Sequence, residues 1–186
     1  MRDAAISSRP TSGGAYVSAN AGQAVHNGDG IRTARRGFAQ IAFNDRSLLR
    51  LNELTELIVQ DSITLRRLQL AKGALWIRVT KGANTAIQTP VATATVRGTE
   101  LLMDDKGNLA VREGTVDLEA NGFTIEIGPG EVGGIGPDGK PFKKGVQIAT
   151  ETQVDVEVLG VPDSWWSILK SGTRSEERRV GKECRL

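Results

Sequence analysis

The chain has 186 residues, 39% hydrophobic and 25% charged, with a formal net charge of +2, 22 glycines and only 4% aromatics. That composition suits one soluble domain with a modest core, and the abundance of glycine over aromatics favours short strands and many turns. No run approaches the roughly 18 to 20 apolar residues that cross a bilayer, and the first thirty residues lack the apolar stretch of a signal peptide, so no membrane span is expected in this chain.

Residues 1–14 mix Ser, Arg, Pro and Gly without a period and read as an irregular leading segment. From residue 15 onward the dominant period is two. Ala39, Ile41 and Phe43 alternate with Phe38, Gln40 and Ala42, Leu49 and Leu51 flank Arg50, and Leu68 and Leu70 flank Gln69. Leu75, Ile77 and Val79 flank Trp76 and Arg78, and the beat returns at Ala92-Ala94-Val96, Leu109-Val111, Val116-Leu118 and Phe123-Ile125-Ile127. One apolar face per run is the mark of half-buried strands. Asn27-Gly28-Asp29-Gly30, Asn44-Asp45-Arg46, Lys72-Gly73, Lys81-Gly82, Asp105-Lys106-Gly107, Glu113-Gly114, Asn121-Gly122 and Pro129-Gly130 punctuate them as turns. The prediction is an all-β domain over 15–149, built of stacked short antiparallel strands as a sandwich or β-roll. Alternation reports a buried face, not a strand order.

After residue 149 the beat changes. Residues 150–158 fit a strand or a helical turn, and Pro162, Asp163 and Ser164 ahead of Trp165, Trp166, Ile168 and Leu169 predict a short helix within a 150–172 extension. Residues 173–186 form a separate tail. The string 174–184 resembles the translated frame of a DNA-sequencing adapter, and such scars stay out of fold reasoning. Setting aside 174–186 removes five Lys/Arg from 24 and three Asp/Glu from 22, leaving 19 of each sign, and takes away the only cysteine, Cys184. The body then has no net charge, no disulfide and no thiol ligand.

Several motifs occur in a fixed order: Gly28-Asp29, Ile31-Arg32-Thr33, Asp45-Arg46-Ser47 with Leu49-Arg50-Leu51, Gly73-Ala74-Leu75, Thr89-Pro90, Val96-Arg97-Gly98-Thr99-Glu100, and Glu113-Gly114-Thr115-Val116. This series, over about 15–131, resembles the FecR-type domain, an extracytoplasmic β-module of bacterial cell-surface signalling regulators. Full-length regulators of that family place a short sigma-binding helical segment in the cytoplasm, one membrane helix, the FecR-like domain, and a small domain that meets an outer-membrane transporter. The residues here correspond to the FecR-like part. The resemblance implies a periplasmic or extracellular, non-catalytic domain that binds a protein or cell-envelope partner and relays a signal to a sigma-factor system, with no cofactor. The alternative is a secreted carbohydrate-binding module or an enzyme on the same kind of scaffold, because fold does not fix function. Oligomeric state is not legible.

The motif residues themselves, Asp45, Ser47, Thr89, Pro90, Arg97, Gly98, Thr99, Glu100, Glu113 and Gly114, read as architecture. Gly98 marks a strand kink, a bulge or the close approach of another backbone. Glu100 either pairs with Arg97 or accepts backbone N–H groups at the bulge. Glu113-Gly114 has the pattern of a hairpin reversal. Trp76, facing away from Leu75 and Ile77, is the candidate partner-binding aromatic.

Chemistry finds little purchase. Gly134-x-Gly136-x-x-Gly139-Lys140 matches a phosphate-loop string, but Pro137, Pro141 and Gly145 deny the helix that such a site needs, so a hairpin with a Pro-Asp-Gly turn is expected. His26 is the sole histidine and has no serine elbow or native-looking cysteine to serve, and one histidine rules out a histidine-rich metal site. Asp29, Asp45, Asp104 and Asp105 sit in turns, where backbone hydrogen bonding explains them. No catalytic, metal or cofactor residue is assigned. Arg35-Arg36, Arg66-Arg67 and Lys143-Lys144 are dispersed pairs fitted to solvated strand edges, and without a basic stripe they do not predict nucleic-acid binding.

Overall fold

The computed structural model describes residues 6–11 and 13–145, which form strands joined by turns and irregular loops, with no helix among them. Fourteen strands follow in chain order: β1 (Ile6–Arg9), β2 (Val17–Ser18), β3 (Gly30–Thr33), β4 (Ala39–Ala42), β5 (Leu48–Leu51), β6 (Glu56–Asp61), β7 (Arg66–Lys72), β8 (Ala74–Arg78), β9 (Asn84–Gln88), β10 (Thr93–Asp104), β11 (Leu109–Ala120), β12 (Phe123–Ile127), β13 (Glu131–Ile135) and β14 (Pro141–Gly145). The predicted helix near 162–170 and the tail lie outside the described residues.

The organising element is the hairpin of β10 and β11, each twelve residues long. Its first and last thirds belong to different wings. Residues 93–97 of β10 pair with β9, whereas 100–104 pair with β8 along the same edge. From β9 the order runs to β7, β6, β3, β1 and β2; from β8 it runs to β5 and β4. On the far edge β11 carries β12 opposite the first wing and β13 with β14 opposite the second. The apolar faces of both wings meet in one core, which joins Leu57, Leu68, Leu70, Ile87, Val96 and Val116 to Leu49, Leu51, Leu75, Ile77, Leu101 and Met103. Each such fully buried Leu or Ile contributes on the order of 1.5 to 3 kcal/mol of transfer free energy.

All the period-two runs become strands, and most core sets are those the alternation predicts: in β8 Leu75 and Ile77 face the core while Trp76 faces away, joining Ala74 and Leu102 in a small separate cluster backed by Leu48. The exception is β12, where Ile127 is buried but Phe123, of the same parity, is 49% exposed at the strand's outer end. Three features depart from the sequence reading. Ile6–Arg9, read as irregular, is β1, seated between β2 and β3 through backbone pairing that needs no apolar alternation. β7 and β9 are parallel, Arg66 to Gln69 against Thr85 to Gln88. A parallel pair needs a crossover, and β8, lying in the other wing, supplies it. Finally, Glu113-Gly114 is not a hairpin reversal, because β11 runs straight through it.

Candidate functional site

That last correction locates the Val96 to Glu100 motif. The β10–β11 register slips between Arg97 and Glu100, so the two strands bulge where the wings part. Gly98 has φ +61° and Gly114 φ +81°, both in the left-handed region. A Cβ at Gly98 would lie 3.1 Å from Lys81 Cα, and one at Gly114 would lie 2.9 Å from the Gly98 carbonyl oxygen and 3.0 Å from Thr99 Cα. Bulge and close backbone approach therefore both apply at Gly98. Thr99 clamps the bend, its hydroxyl within 2.9 Å of the Thr115 carbonyl and 3.1 Å of the Arg97 carbonyl. Arg97 is exposed and does not pair with Glu100. Thr89-Pro90 shapes the turn into β10: the Thr89 hydroxyl accepts the Ala92 amide at 3.0 Å, and the Thr89 amide donates to the Ala92 carbonyl.

The Asp45-Arg46-Ser47 motif does a comparable job at one end of the core. Asp45 accepts the Ser47 amide at 2.9 Å and its hydroxyl at 3.0 Å, which closes the β4–β5 turn. Ser47, almost fully buried, passes the link on by accepting the Thr80 amide at 3.0 Å, so the β4–β5 turn is tied to the β8–β9 turn. Arg66 reaches the same carboxylate, Nη2 to Oδ2 at 3.1 Å, with its guanidinium 3.6 Å above the Phe43 ring. Burial pushes the Asp45 carboxyl up, but the Ser47 amide, the Arg66 charge and the Ser47 hydroxyl together hold it below its ordinary value.

The outer face of β5, β8, β10 and β11 carries the molecule's one tryptophan among the described residues. Trp76 is 7% exposed. Its ring lies under the Arg50 guanidinium at 4.9 Å and the Arg78 guanidinium at 5.8 Å, and its indole N–H donates to Glu100 Oε1 at 3.3 Å. The same oxygen takes Nη1 of Arg112 at 2.8 Å. Arg50 is steadied by Gln40, which accepts its Nε at 3.0 Å. Two arginines thus stand over a tryptophan, and Glu100 joins that tryptophan to a third, Arg112; neither Arg50 nor Arg78 meets a carboxylate among the described residues.

Residues 29–117 match the family model described as FecR protein. Over these residues the chain is FecR-like. The match opens at the Asp29 turn ahead of β3 and stops three residues before the end of β11, so β1, β2 and β12 to β14 stand outside it. The fold is also similar to that of two crystal structures of candidate anti-sigma factors from Parabacteroides distasonis. One is 19% identical with a TM-score of 0.56, over 63% of this chain and 59% of that one. The other is 17% identical with a TM-score of 0.53, over 76% and 60%. The chain spans about three fifths of the length of each of these proteins. No curated protein matches it.

Across the described residues those considered for chemistry stay apart. His26 is exposed, 3.5 Å from Asp29, whose carboxylate accepts the His26 and Thr11 amides. Asp104 accepts the Lys106 and Asn108 amides and the Asn108 side chain, a turn function. The Gly134 to Lys140 string is the tip of the β13–β14 hairpin, closed by the Gly136 amide on the Lys140 carbonyl at 2.8 Å. Among the described residues no three His, Cys, Asp or Glu side chains gather to hold a metal, and no helix is long and apolar enough to cross a membrane. Arg66 is the residue that sequence reasoning misplaced. Taken for a solvated edge charge, it is buried. The signal was present, since Arg66, Leu68 and Leu70 share one parity and hence one face. Arg112 was missed as the partner of Glu100 because the bulge, not the spacing, brings it there.

Proposed function

We propose that this FecR-like domain is a non-catalytic, extracytoplasmic signalling module, residues 15–149 at its core, that binds a protein partner through the outer face around Trp76 and relays an envelope signal to a sigma-factor system. The family match supports the regulatory class. The observation that carries the binding surface is Trp76 beneath Arg50 and Arg78, with Arg112 and Glu100 beside it. Tryptophan and arginine are the side chains most enriched at the energetic centres of interfaces, and two arginines without carboxylate partners favour an acidic partner surface. Motif residues Asp45, Ser47, Thr89, Pro90, Arg97 to Glu100, Glu113 and Gly114 serve to hold that face flat and in register.

Photo-crosslinking in the cell envelope tests this. With a benzophenone amino acid at position 50 or 78, a discrete crosslinked protein is expected, and a probe at Asp117, on the outer face of the other wing, gives none. The double variant Arg50→Glu/Arg78→Glu, probed from position 40, loses the adduct while its melting temperature holds. Equal crosslinking from position 117, or an adduct that survives the double reversal, refutes the assignment.

A further inference from the structure

A second site lies at the end of the core where Asp45 and Arg66 meet. The β6–β7 turn and the β8–β9 turn enclose a cleft of about 270 Å³. Arg66 lines it with a side chain only 6% exposed, flanked by Asp45 and by Asp61, whose Oδ1 is 3.3 Å from Arg66 Nε. Only Nη2 is well used. Nε lies 3.3 Å from Asp61 Oδ1 without a hydrogen bond, and both Nε and Nη1 are buried with no acceptor. Guanidinium donors left without an acceptor in this way cost stability, and each calls for an explanation.

We propose that the cleft is a binding site for a neutral polyhydroxyl ligand, a single sugar ring, recognised by Arg66, Asp45 and Asp61. The choice follows from complementarity. An anion would supply acceptors to Arg66 but would face two carboxylates, and the three charges here sum to −1. A cation would satisfy the carboxylates and leave the guanidinium nitrogens unserved. A hydroxyl group does both, accepting from Arg66 and donating to Asp45 or Asp61, and adjacent hydroxyls on one ring do so at several points. The carboxylates are within reach, since the Asp61 and Asp45 side chains are 42% and 32% exposed. The volume falls just below the roughly 300 to 1,000 Å³ of ordinary small-molecule pockets, which suits one ring and not an oligosaccharide. Ile63 at the turn tip is fully exposed and offers an apolar edge to the ring's C–H face.

Because Nε and Nη1 are shut off from water, the ligand reaches them by a small outward shift of the Ser62 to Leu65 turn. That turn is held by three bonds of its own, the Ser62 amide and hydroxyl to the Leu65 carbonyl at 3.3 and 2.6 Å and the Leu65 amide to the Ser62 hydroxyl at 3.2 Å. Its side-chain tie to the neighbouring turn is the long bond from the Asn84 amide to the Thr64 carbonyl at 3.5 Å, which such a shift would break. This site stands apart from the Trp76 face and does not depend on it.

The test is a nitrogen–proton NMR titration of the full chain, following the arginine Nε–H signals and the backbone of residues 61–66 and 82–84. Glucose, N-acetylglucosamine, methyl glucoside and maltotetraose are the neutral probes; galacturonate, lysine and N-acetylglycine methylamide are the anionic, cationic and amide controls. Saturable shifts confined to the cleft with at least one neutral sugar, and weaker or no shifts with the controls, are expected. Tighter binding of glucose than of maltotetraose or the methyl glucoside points to free sugar, and the reverse to the end of a glycan chain. Arg66→Lys keeps the charge but loses the planar fork, and Asp61→Asn alters a side chain that is 42% exposed while keeping its size and one acceptor oxygen toward Arg66. Each should weaken binding about tenfold or more while leaving the remaining spectrum in place. No cleft shift with any neutral sugar overturns the proposal, as does preference for the amide or a charged control, or unchanged affinity in Asp61→Asn.

Discussion

Gly114→Ala is the sharpest probe of how the two wings are joined. The new Cβ would meet Thr99 Oγ1 at 2.6 Å, the Gly98 carbonyl oxygen at 2.9 Å and Thr99 Cα at 3.0 Å, and two of these are backbone atoms with nowhere to rotate. The left-handed φ costs alanine about 1 kcal/mol. Displacing the Thr99 hydroxyl from the Thr115 carbonyl forfeits about 1 kcal/mol more, and the backbone shift adds about the same again, for roughly 3 kcal/mol in all. Gly122→Ala is the matched control, with φ +79° but nothing within 4 Å of its Cβ, so it pays only the conformational part, about 1 kcal/mol. For a chain of this size each kcal/mol moves the melting temperature by about 2 to 4 °C. Thermal unfolding by circular dichroism should therefore show Gly114→Ala down by roughly 6 to 12 °C and Gly122→Ala by about 2 to 4 °C. If the two variants melt together, the bend is not a steric constraint and the reasoning fails.

Ser47→Ala removes an almost fully buried hydroxyl that accepts the Thr80 amide, and should cost about 1 to 2 kcal/mol in urea unfolding, against near zero for an exposed serine. Glu100→Ala strands the Trp76 indole N–H and one Arg112 donor, with an expected loss of about 2 kcal/mol; Glu100→Gln, which keeps an acceptor oxygen, should recover more than half of it. Asp45 has a folded pKa below its unfolded value of about 4, so the unfolded chain takes the proton first and the stability Asp45 contributes is lost as pH falls below that value. Unfolding free energy followed from pH 6 to pH 3 should drop less steeply in Asp45→Asn, and parallel curves for the two proteins would contradict the pairing.

The family resemblance was legible because its motifs are turn and bulge residues. Gly98 and Gly114 are dictated by φ and by backbone crowding, Asp45 and Thr89 by bonds to amides two or three residues away, and such local demands leave local strings. The core was legible for the same kind of reason. Alternation assigns Leu75 and Ile77 to one face and Trp76 to the other before any partner strand is known. Arg66 shows where habit overrode that rule: its parity placed it with Leu68 and Leu70, and its charge was read as solvated.

Other features had no local cause to read. β1 is held by backbone pairing with β2 and β3, which a four-residue string of mixed polarity does not announce. The parallel contact of β7 with β9 depends on β8 crossing to the other wing. Glu100 finds Arg112 rather than Arg97 because the register slips at the bulge. The chain alone thus determined the apolar face of most strands, most of the tight turns and which family the middle of the molecule resembles. Only the tertiary structure decided which strands meet, and with them the arginines over Trp76 and the cleft at Arg66, since both are assembled across strands far apart in sequence.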